Sequence, residues 1–185
     1  MDAGCAGGYF LDRLRERGYT NLAGADANVY EKISHRVERV NLSYEPLPWP
    51  DGSLDGVTAW EVVEHLENPY FFIREAARVL APEGMFFFSM PNALHLENRL
   101  LFFRRGEFWR WNEKNDHRTI LTPGVFYKTI APYFQVAEIT YPIPLLAKHG
   151  FLGRVAWRFP FLKRLLPENS WFGYFVLYAL QKNDA

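Results

Sequence analysis

The sequence predicts an α/β fold: a doubly wound, mostly parallel sheet covered on both faces by helices. Three observations predict it. Short apolar runs alternate with amphipathic stretches of helical length from Tyr9 to Pro91, the order expected of strands joined by crossover helices. A glycine-rich turn, Gly4-Cys5-Ala6-Gly7-Gly8, leads at once into the first of those helices. Glycines at a strand-to-helix turn let backbone approach a ligand closely, because no Cβ stands in the way. Finally, Met85–Met90 is a strongly apolar run that stops at Pro91, as a buried strand stops at a residue that cannot continue its ladder.

Each element has its own signal. Tyr9–Arg17 reads as a helix closed by Gly18, the usual residue past a helix end. Leu22–Ala25 reads as a strand ending at Asp26, followed by a helix at Val29–His35 and a strand at Val37–Val40. Leu54–Trp60 is the next strand, and Asn68–Leu80 a helix with Pro69 in its first turn. Ala81-Pro82-Glu83-Gly84 reads as a turn before the Met85–Met90 strand. Ala93–Arg105 reads as helical, and Thr122 with Pro123 supplies an N-cap and first helical residue for a helix through Ala131. Phe134–Tyr141 and Trp171–Gln181 are the last two predicted strands, separated by a basic, aromatic insert.

Bulk composition narrows the class. The chain has 185 residues, 49% of them hydrophobic, and zero formal net charge. That suits one globular domain spanning 1–185, with insertions expected at about 93–122 and 142–170. A neutral chain has no global field toward nucleic acid, and no RNA-binding module is visible, so nucleic acid is not an expected partner. Cys5 is the only cysteine, which excludes an internal disulfide and fits a reducing cytoplasm. The first residues carry no basic-then-apolar leader pattern, and no run reaches the roughly 20 apolar residues of a membrane span.

The chemistry begins at Asp2-Ala3-Gly4-Cys5-Ala6-Gly7-Gly8. The dinucleotide fingerprint is not matched, since Ala6 stands at its second glycine, and the Gly-Lys-Ser/Thr of a P-loop is absent. Asp26, at the end of the second predicted strand, offers a carboxylate suited to a ribose diol. An ordered series follows: Leu47-Pro48-Trp49-Pro50-Asp51-Gly52-Ser53-Leu54-Asp55, then Glu61-Val62-Val63-Glu64-His65-Leu66, then Arg78-Val79-Leu80-Ala81-Pro82-Glu83-Gly84, then Ser89-Met90-Pro91-Asn92. This series resembles the class I S-adenosylmethionine-dependent methyltransferase domain of ubiquinone-biosynthesis-type and bacterial surface-glycan-cluster enzymes, motif by motif over residues 2–92.

The resemblance implies a Rossmann-like, seven-stranded sheet, mostly parallel with an antiparallel last strand, holding S-adenosylmethionine at the carboxyl ends of its strands. By similarity Asp2, Gly4, Cys5, Ala6, Gly7 and Gly8 line the methionine part of the cofactor. Asp26 binds the ribose hydroxyls, Asn41 and Leu42 flank the adenine, and Ala59, Trp60 and Glu61 close the pocket. Two positions depart from the pattern: Ala6 replaces a glycine, and Asn41 an aspartate. Only Met1, Asp2 and Ala3 precede the turn, so the expected first strand is short, as in a truncated version of a longer protein.

Glu61-Val62-Val63-Glu64-His65 is the second chemical motif. If Glu61 begins a helical turn, Glu64 and His65 share its face. Two carboxylates and an imidazole suit Mg²⁺, Mn²⁺ or Zn²⁺; the set resembles the metal site of ubiquinone-type and small-RNA O-methyltransferases, with Mg²⁺ or Mn²⁺ the expected ion and His117 as a further ligand by position. The alternative is structural: acidic residues gain from a helix dipole, and His65 caps a loop. For transfer to oxygen, His65 and His117 are the candidate bases.

Beyond Asn92 aromatic and basic residues interleave. Leu100, Phe102, Phe103, Phe108, Trp109 and Trp111 accompany Arg99, Arg104, Arg105 and Arg110, and a second basic, aromatic stretch spans 148–166. Three readings stay open: an interfacial segment on anionic lipid, a site for a phosphorylated or lipid-linked acceptor, or a lid whose arginines ring an apolar core. The expectation is cytoplasmic methyl transfer to oxygen of a small or lipid-linked acceptor, with peripheral contact to anionic membrane through 148–166. A catalytically degenerate binding or scaffold protein of the same fold is the alternative. A nicotinamide-dependent dehydrogenase is disfavoured by the glycine spacing.

Overall fold

A computed structural model describes residues 1–28, 33–142, 158 and 169–183. Its strands are β1 (Asp2–Ala3), β2 (Ala23–Asp26), β3 (Arg36–Arg39), β4 (Leu54–Trp60), β5 (Leu80–Pro91), β6 (Phe134–Thr140) and β7 (Phe175–Lys182). Its helices are α1 (Tyr9–Glu16), α2 (Pro69–Val79), α3 (Leu96–Arg105) and α4 (Pro123–Thr129), with a 3₁₀ turn at Val63–His65. The strands form one sheet in the order β3-β2-β1-β4-β5-β7-β6. From β3 to β5 every pairing is parallel, and β7 runs antiparallel between β5 and β6. The doubly wound sheet with its antiparallel last strand is therefore present.

Strand order reverses between β1 and β4, the switch point at which open α/β sheets leave a crevice beyond their strand ends. The glycine turn leaves β1 there and Glu61 leaves β4. The central β1 is short, as expected, at two residues; Asp2 and Ala3 pair with Gly24 and Ala25, and Asp2 also pairs with Thr58.

The core forms from aromatic and aliphatic side chains on both sides of β5. Phe86 and Phe88 are fully buried and stack at 5.1 Å, and Phe88 stacks on Tyr178 of β7 at 4.5 Å. Helix α2 buries Phe72, Ile73, Ala76 and Ala77, one stripe at helical spacing, against this sheet. Asn68 starts the helix by accepting the Phe71 N–H at 3.2 Å, with Pro69 behind it. Arg78, near its end, ties the preceding loop down, donating to the carbonyls of Leu47 and Trp49 and to Asp51 and Glu75.

Some boundaries differ from the sequence expectation. Leu80 opens β5 rather than closing α2, and the predicted turn at Ala81–Gly84 is a bulge inside β5. Leu54 pairs with Leu80 and Gly56 with Met85, so those residues stand opposite Asp55 alone, and Glu83 takes φ 60° to accommodate them. Residues 33–35 are not helical and 29–32 lie outside the described residues, so the helix expected at Val29–His35 is not seen. Helix α3 starts at Leu96 rather than Ala93, and β7 at Phe175 rather than Trp171. The insert 148–166 lies outside the described residues apart from Arg158. Among the described residues no helix is long and apolar enough to cross a membrane.

Candidate active site

The glycine turn is built by backbone. Gly4 N–H donates to Ala25 O at 2.7 Å, and Gly8 N–H to Cys5 O at 2.8 Å before α1 begins. Gly4 takes φ 70°, and a Cβ there would fall 2.5 Å from Val62 Cγ2, so glycine is required both by conformation and by contact. A Cβ on Gly7 would meet nothing within 4 Å: the backbone faces open space. Ala6 takes φ 43° and still donates its N–H to Asp26 Oδ2 at 2.9 Å. The departure from glycine therefore leaves the turn intact. Asp26 also accepts the Asn28 N–H at 2.8 Å, which fixes its carboxylate at the mouth of the turn.

The other residues expected around the cofactor divide by exposure. Asp2 is buried and accepts the Thr58 hydroxyl at 2.6 Å; burial pushes its carboxyl up to about 6. Cys5 is buried, and burial pushes its thiol up to about 11, so it is no nucleophile. Asn41 is exposed, its side-chain oxygen accepting the Ser43 N–H at 3.1 Å, and Leu42 is buried beneath it. Ala59 is fully buried and can present only backbone. Trp60 packs edge-on against Phe10 of α1 at 5.5 Å, with its indole N–H buried and without a partner.

Past β4 the chain departs from expectation. Glu61 does not begin a helical turn: it sits at φ 53°, and the 3₁₀ turn starts only at Val63. Its N–H donates to Ser89 Oγ at 3.0 Å, the Ser89 hydroxyl donates to Glu61 Oε1 at 2.8 Å, and Arg110 Nη1 stands 3.6 Å from Oε2. Glu61 is thus turned out of the shared face predicted for it. Glu64, His65 and His117 do converge, each offering a ligand atom within 4.8 Å of the others. The His65 and His117 rings meet edge-to-face at 4.6 Å.

Glu64 is the unusual member. It is 0% exposed, and neither carboxylate oxygen has a hydrogen-bond partner. Burial, and next the Glu61 charge, push its carboxyl up to about 8. The Nδ1 atoms of His65 and His117 are also buried without a hydrogen bond. Asp116 Oδ1 lies 3.0 Å from His65 Nδ1, close enough to pair but outside hydrogen-bond geometry. Burial and the neighbouring His65 lower the His117 pKa, so this imidazole stays neutral. The loop carrying His117 is clamped by Arg118 and Thr119, whose N–H groups donate to Glu64 O at 2.7 and 3.1 Å. Arg118 also donates to Glu67, which receives the Tyr44 hydroxyl.

A family of methyltransferase domains matches residues 1–128. The chain belongs to that family. Among curated relatives, a probable S-adenosylmethionine-dependent methyltransferase of Mycolicibacterium smegmatis is 35% identical over 99 residues, covering 51% of this chain and 38% of the relative. A ubiquinone biosynthesis O-methyltransferase of a Caulobacter species (strain K31) is 31% identical over 101 residues, 50% of this chain and 40% of the relative. The matched stretches thus span two fifths or less of these relatives. A solved S-adenosylmethionine-dependent methyltransferase from Archaeoglobus fulgidus superposes with a TM-score of 0.65 over 98% of this chain and 84% of that one, at 18% identity; this likeness is one of fold.

Membership of this methyltransferase family implies S-adenosylmethionine as cofactor, and the residues present fit it. The backbone at Gly7 is open and Asp26 is bonded to the neighbouring Ala6 N–H, so a carboxylate suited to ribose hydroxyls lies beside uncovered turn backbone. The donor set of Glu64, His65 and His117 fits a divalent cation by the same kind of test, since its buried acceptor atoms lack partners. Sequence reasoning misses Ser89 and Arg110, the two side chains that hold Glu61. Ser89 lies in the Ser89–Asn92 series, where nothing local gives it a role. Arg110 is one basic residue among many.

Proposed function

We propose that this chain transfers the methyl group of S-adenosylmethionine to an oxygen of a small or lipid-linked acceptor. The observation that carries the reading is a juxtaposition: the Asp26-anchored glycine turn and the cluster of Glu64, His65 and His117 flank one switch point, at the ends of β1 and β4. When bound, the cofactor supplies an electrophilic methyl carried by a sulfonium. Asp2, Gly4, Cys5, Ala6, Gly7 and Gly8 line its methionine portion, and Asp26 holds the ribose hydroxyls. Asn41 and Leu42 flank the base, while Ala59, Trp60 and Glu61 close the cleft.

Oxygen is favoured over other acceptor atoms because a hydroxyl must shed a proton as the methyl arrives. The neutral His117 Nδ1 makes no hydrogen bond and can take it, and His65, whose Nδ1 stands 3.0 Å from Asp116 Oδ1, is the other candidate base. Glu64, His65 and His117 would hold Mg²⁺ or Mn²⁺, and such an ion acidifies a hydroxyl beside it. The protein's remaining task is alignment and exclusion of water.

The same reading treats 1–185 as one domain with acceptor-side insertions at about 93–122 and 142–170. It places the reaction in the cytoplasm, with 148–166 against anionic membrane when the acceptor is lipid-linked. Calorimetric titration with S-adenosylmethionine and S-adenosylhomocysteine tests the core of this proposal. Micromolar binding of both is expected, and binding of neither would refute it. A divalent ion is tested by Mn²⁺ paramagnetic resonance, where a bound signal lost in Glu64→Gln is the expected outcome and an unchanged one overturns that assignment.

A further inference from the structure

We infer that Arg110 forms an oxyanion subsite, so that the acceptor carries a carboxylate or phosphate group close to the atom that is methylated. The inference rests on the methyl-transfer reading and names its substrate class. Arg110 follows α3 and is 29% exposed. Its guanidinium lies over two aromatic rings, 5.3 Å from the centroid of Trp109 and 5.0 Å from that of Phe175 in β7. Two such contacts restrain the fork without using its N–H groups.

Those N–H groups carry one ion pair and no hydrogen bond. Glu61 Oε2, at 3.6 Å, is beyond hydrogen-bond length, and Glu61 already has Ser89 on its other oxygen. Among the described residues no side-chain or backbone acceptor receives a hydrogen bond from the Arg110 guanidinium. Arg78 and Arg99 show the contrast, since each directs its N–H groups to carbonyls or carboxylates. A half-buried guanidinium that makes no hydrogen bond is a recognition element in waiting, because a planar two-oxygen group completes it with two parallel hydrogen bonds.

The surroundings are polar and partly open. Arg110 lines a small, shallow cleft with Asn92, His95, Glu97, Asn98 and Tyr174. The two amides are committed to building it. Asn92 donates to Ser170 O and Gly173 O, and Asn98 donates to Asn92 O while accepting the Trp109 N–H at 2.9 Å. Asn98 therefore positions the residue whose ring carries Arg110. Burial keeps the His95 pKa low, which leaves Arg110 as the cationic side chain of the cleft wall, with Glu97 its acidic counterpart. Arg110 also lies near enough to bear on the charges of Glu64 and His117. An anion held by Arg110 would thus border the cluster assigned to the acceptor hydroxyl.

The test compares benzoate with benzamide and phenyl phosphate with phenol. Each is titrated calorimetrically into wild type, Arg110→Met and Arg110→Lys, with and without S-adenosylhomocysteine. Wild type should bind at least one anion about tenfold more tightly than its neutral partner. Arg110→Met, which keeps an apolar stem, should abolish that preference while S-adenosylhomocysteine still binds. Arg110→Lys should keep only part of it. The benzoate and phosphate arms decide which oxyanion is preferred. An anion preference that survives Arg110→Met, or is absent from wild type, overturns the subsite. Anion preference without S-adenosylhomocysteine binding would instead sink the methyl-transfer reading and leave the anion site standing.

Discussion

Removing the Asp26 carboxylate should cost the chain its cofactor and little of its stability. In the ligand-free protein the carboxylate accepts two N–H groups, from Ala6 at 2.9 Å and Asn28 at 2.8 Å, and both bonds are solvent-exposed. Water replaces such bonds in Asp26→Ala, so the loss of stability should stay near about 1 kcal/mol and the melting temperature should fall by about 2–4 °C. Binding is different. A vicinal diol bridging the two carboxylate oxygens makes two charge-assisted hydrogen bonds, worth about 1.5–3 kcal/mol each before desolvation is subtracted. A net loss near 2.7 kcal/mol corresponds to about 100-fold weaker S-adenosylhomocysteine binding. Asp26→Asn keeps one acceptor oxygen without its charge and should fall between the two, near about tenfold. Calorimetric titration of the three proteins reads these numbers directly. An Asp26→Ala dissociation constant within about threefold of wild type would mean that the glycine turn and this carboxylate do not jointly hold a nucleoside.

Three further outcomes follow from the same geometry. Burial raises the Glu64 carboxyl from an ordinary 4.5 to about 8, so the folded state holds a proton that the unfolded chain has lost; stability present below pH 4.5 drains away as pH rises through 8. In EDTA, Glu64→Gln should therefore gain on wild type between pH 6 and pH 9, by about 3 kcal/mol, and parallel denaturation curves would refute this. Gly4→Ala forces a side chain into φ 70° and within 2.5 Å of Val62 Cγ2, which should cost about 2–4 kcal/mol; the Gly4→Ala, Val62→Ala double variant should recover the contact part only, as urea unfolding will show. Arg78→Met breaks the ties to Leu47, Trp49, Asp51 and Glu75; with the side chain 30% exposed, about 2–4 kcal/mol is expected, checked by the shift in urea midpoint.

The fold is legible because its signals are local. The alternation of strands and helices, the Asn68-Pro69 helix start and the turn glycines each act within a few residues. The proximity of Asp26 to the turn is legible too, since parallel neighbours in matched register bring their carboxyl ends together, and Ala3 does pair with Ala25. The bulge at Ala81–Gly84 reads as a turn because its composition is that of one, and only the pairing of Leu80 with Leu54 shows that the ladder resumes on both sides. Arg110 cannot be singled out from the basic stretch, because one of the rings that fixes it, Phe175, comes from the far end of the chain.

Glu61 shows why the motif carries its chemistry but not its geometry. Nothing in Glu61-Val62-Val63-Glu64-His65 encodes a left-handed residue at its head, a conformation that costs a non-glycine residue about 1–2 kcal/mol. It persists because Ser89, distant in sequence but adjacent in the sheet, binds both its N–H and its Oε1. Strain held in place from outside in this way is what functional sites exhibit. Its effect is to separate a pair of carboxylates that a helix would have stacked. Glu61 turns to Ser89 and Arg110, whereas Glu64 is left buried, unpartnered and beside two imidazoles. One motif thereby furnishes two environments: a carboxylate tied to Ser89 and paired with Arg110, and a buried carboxyl beside two imidazoles.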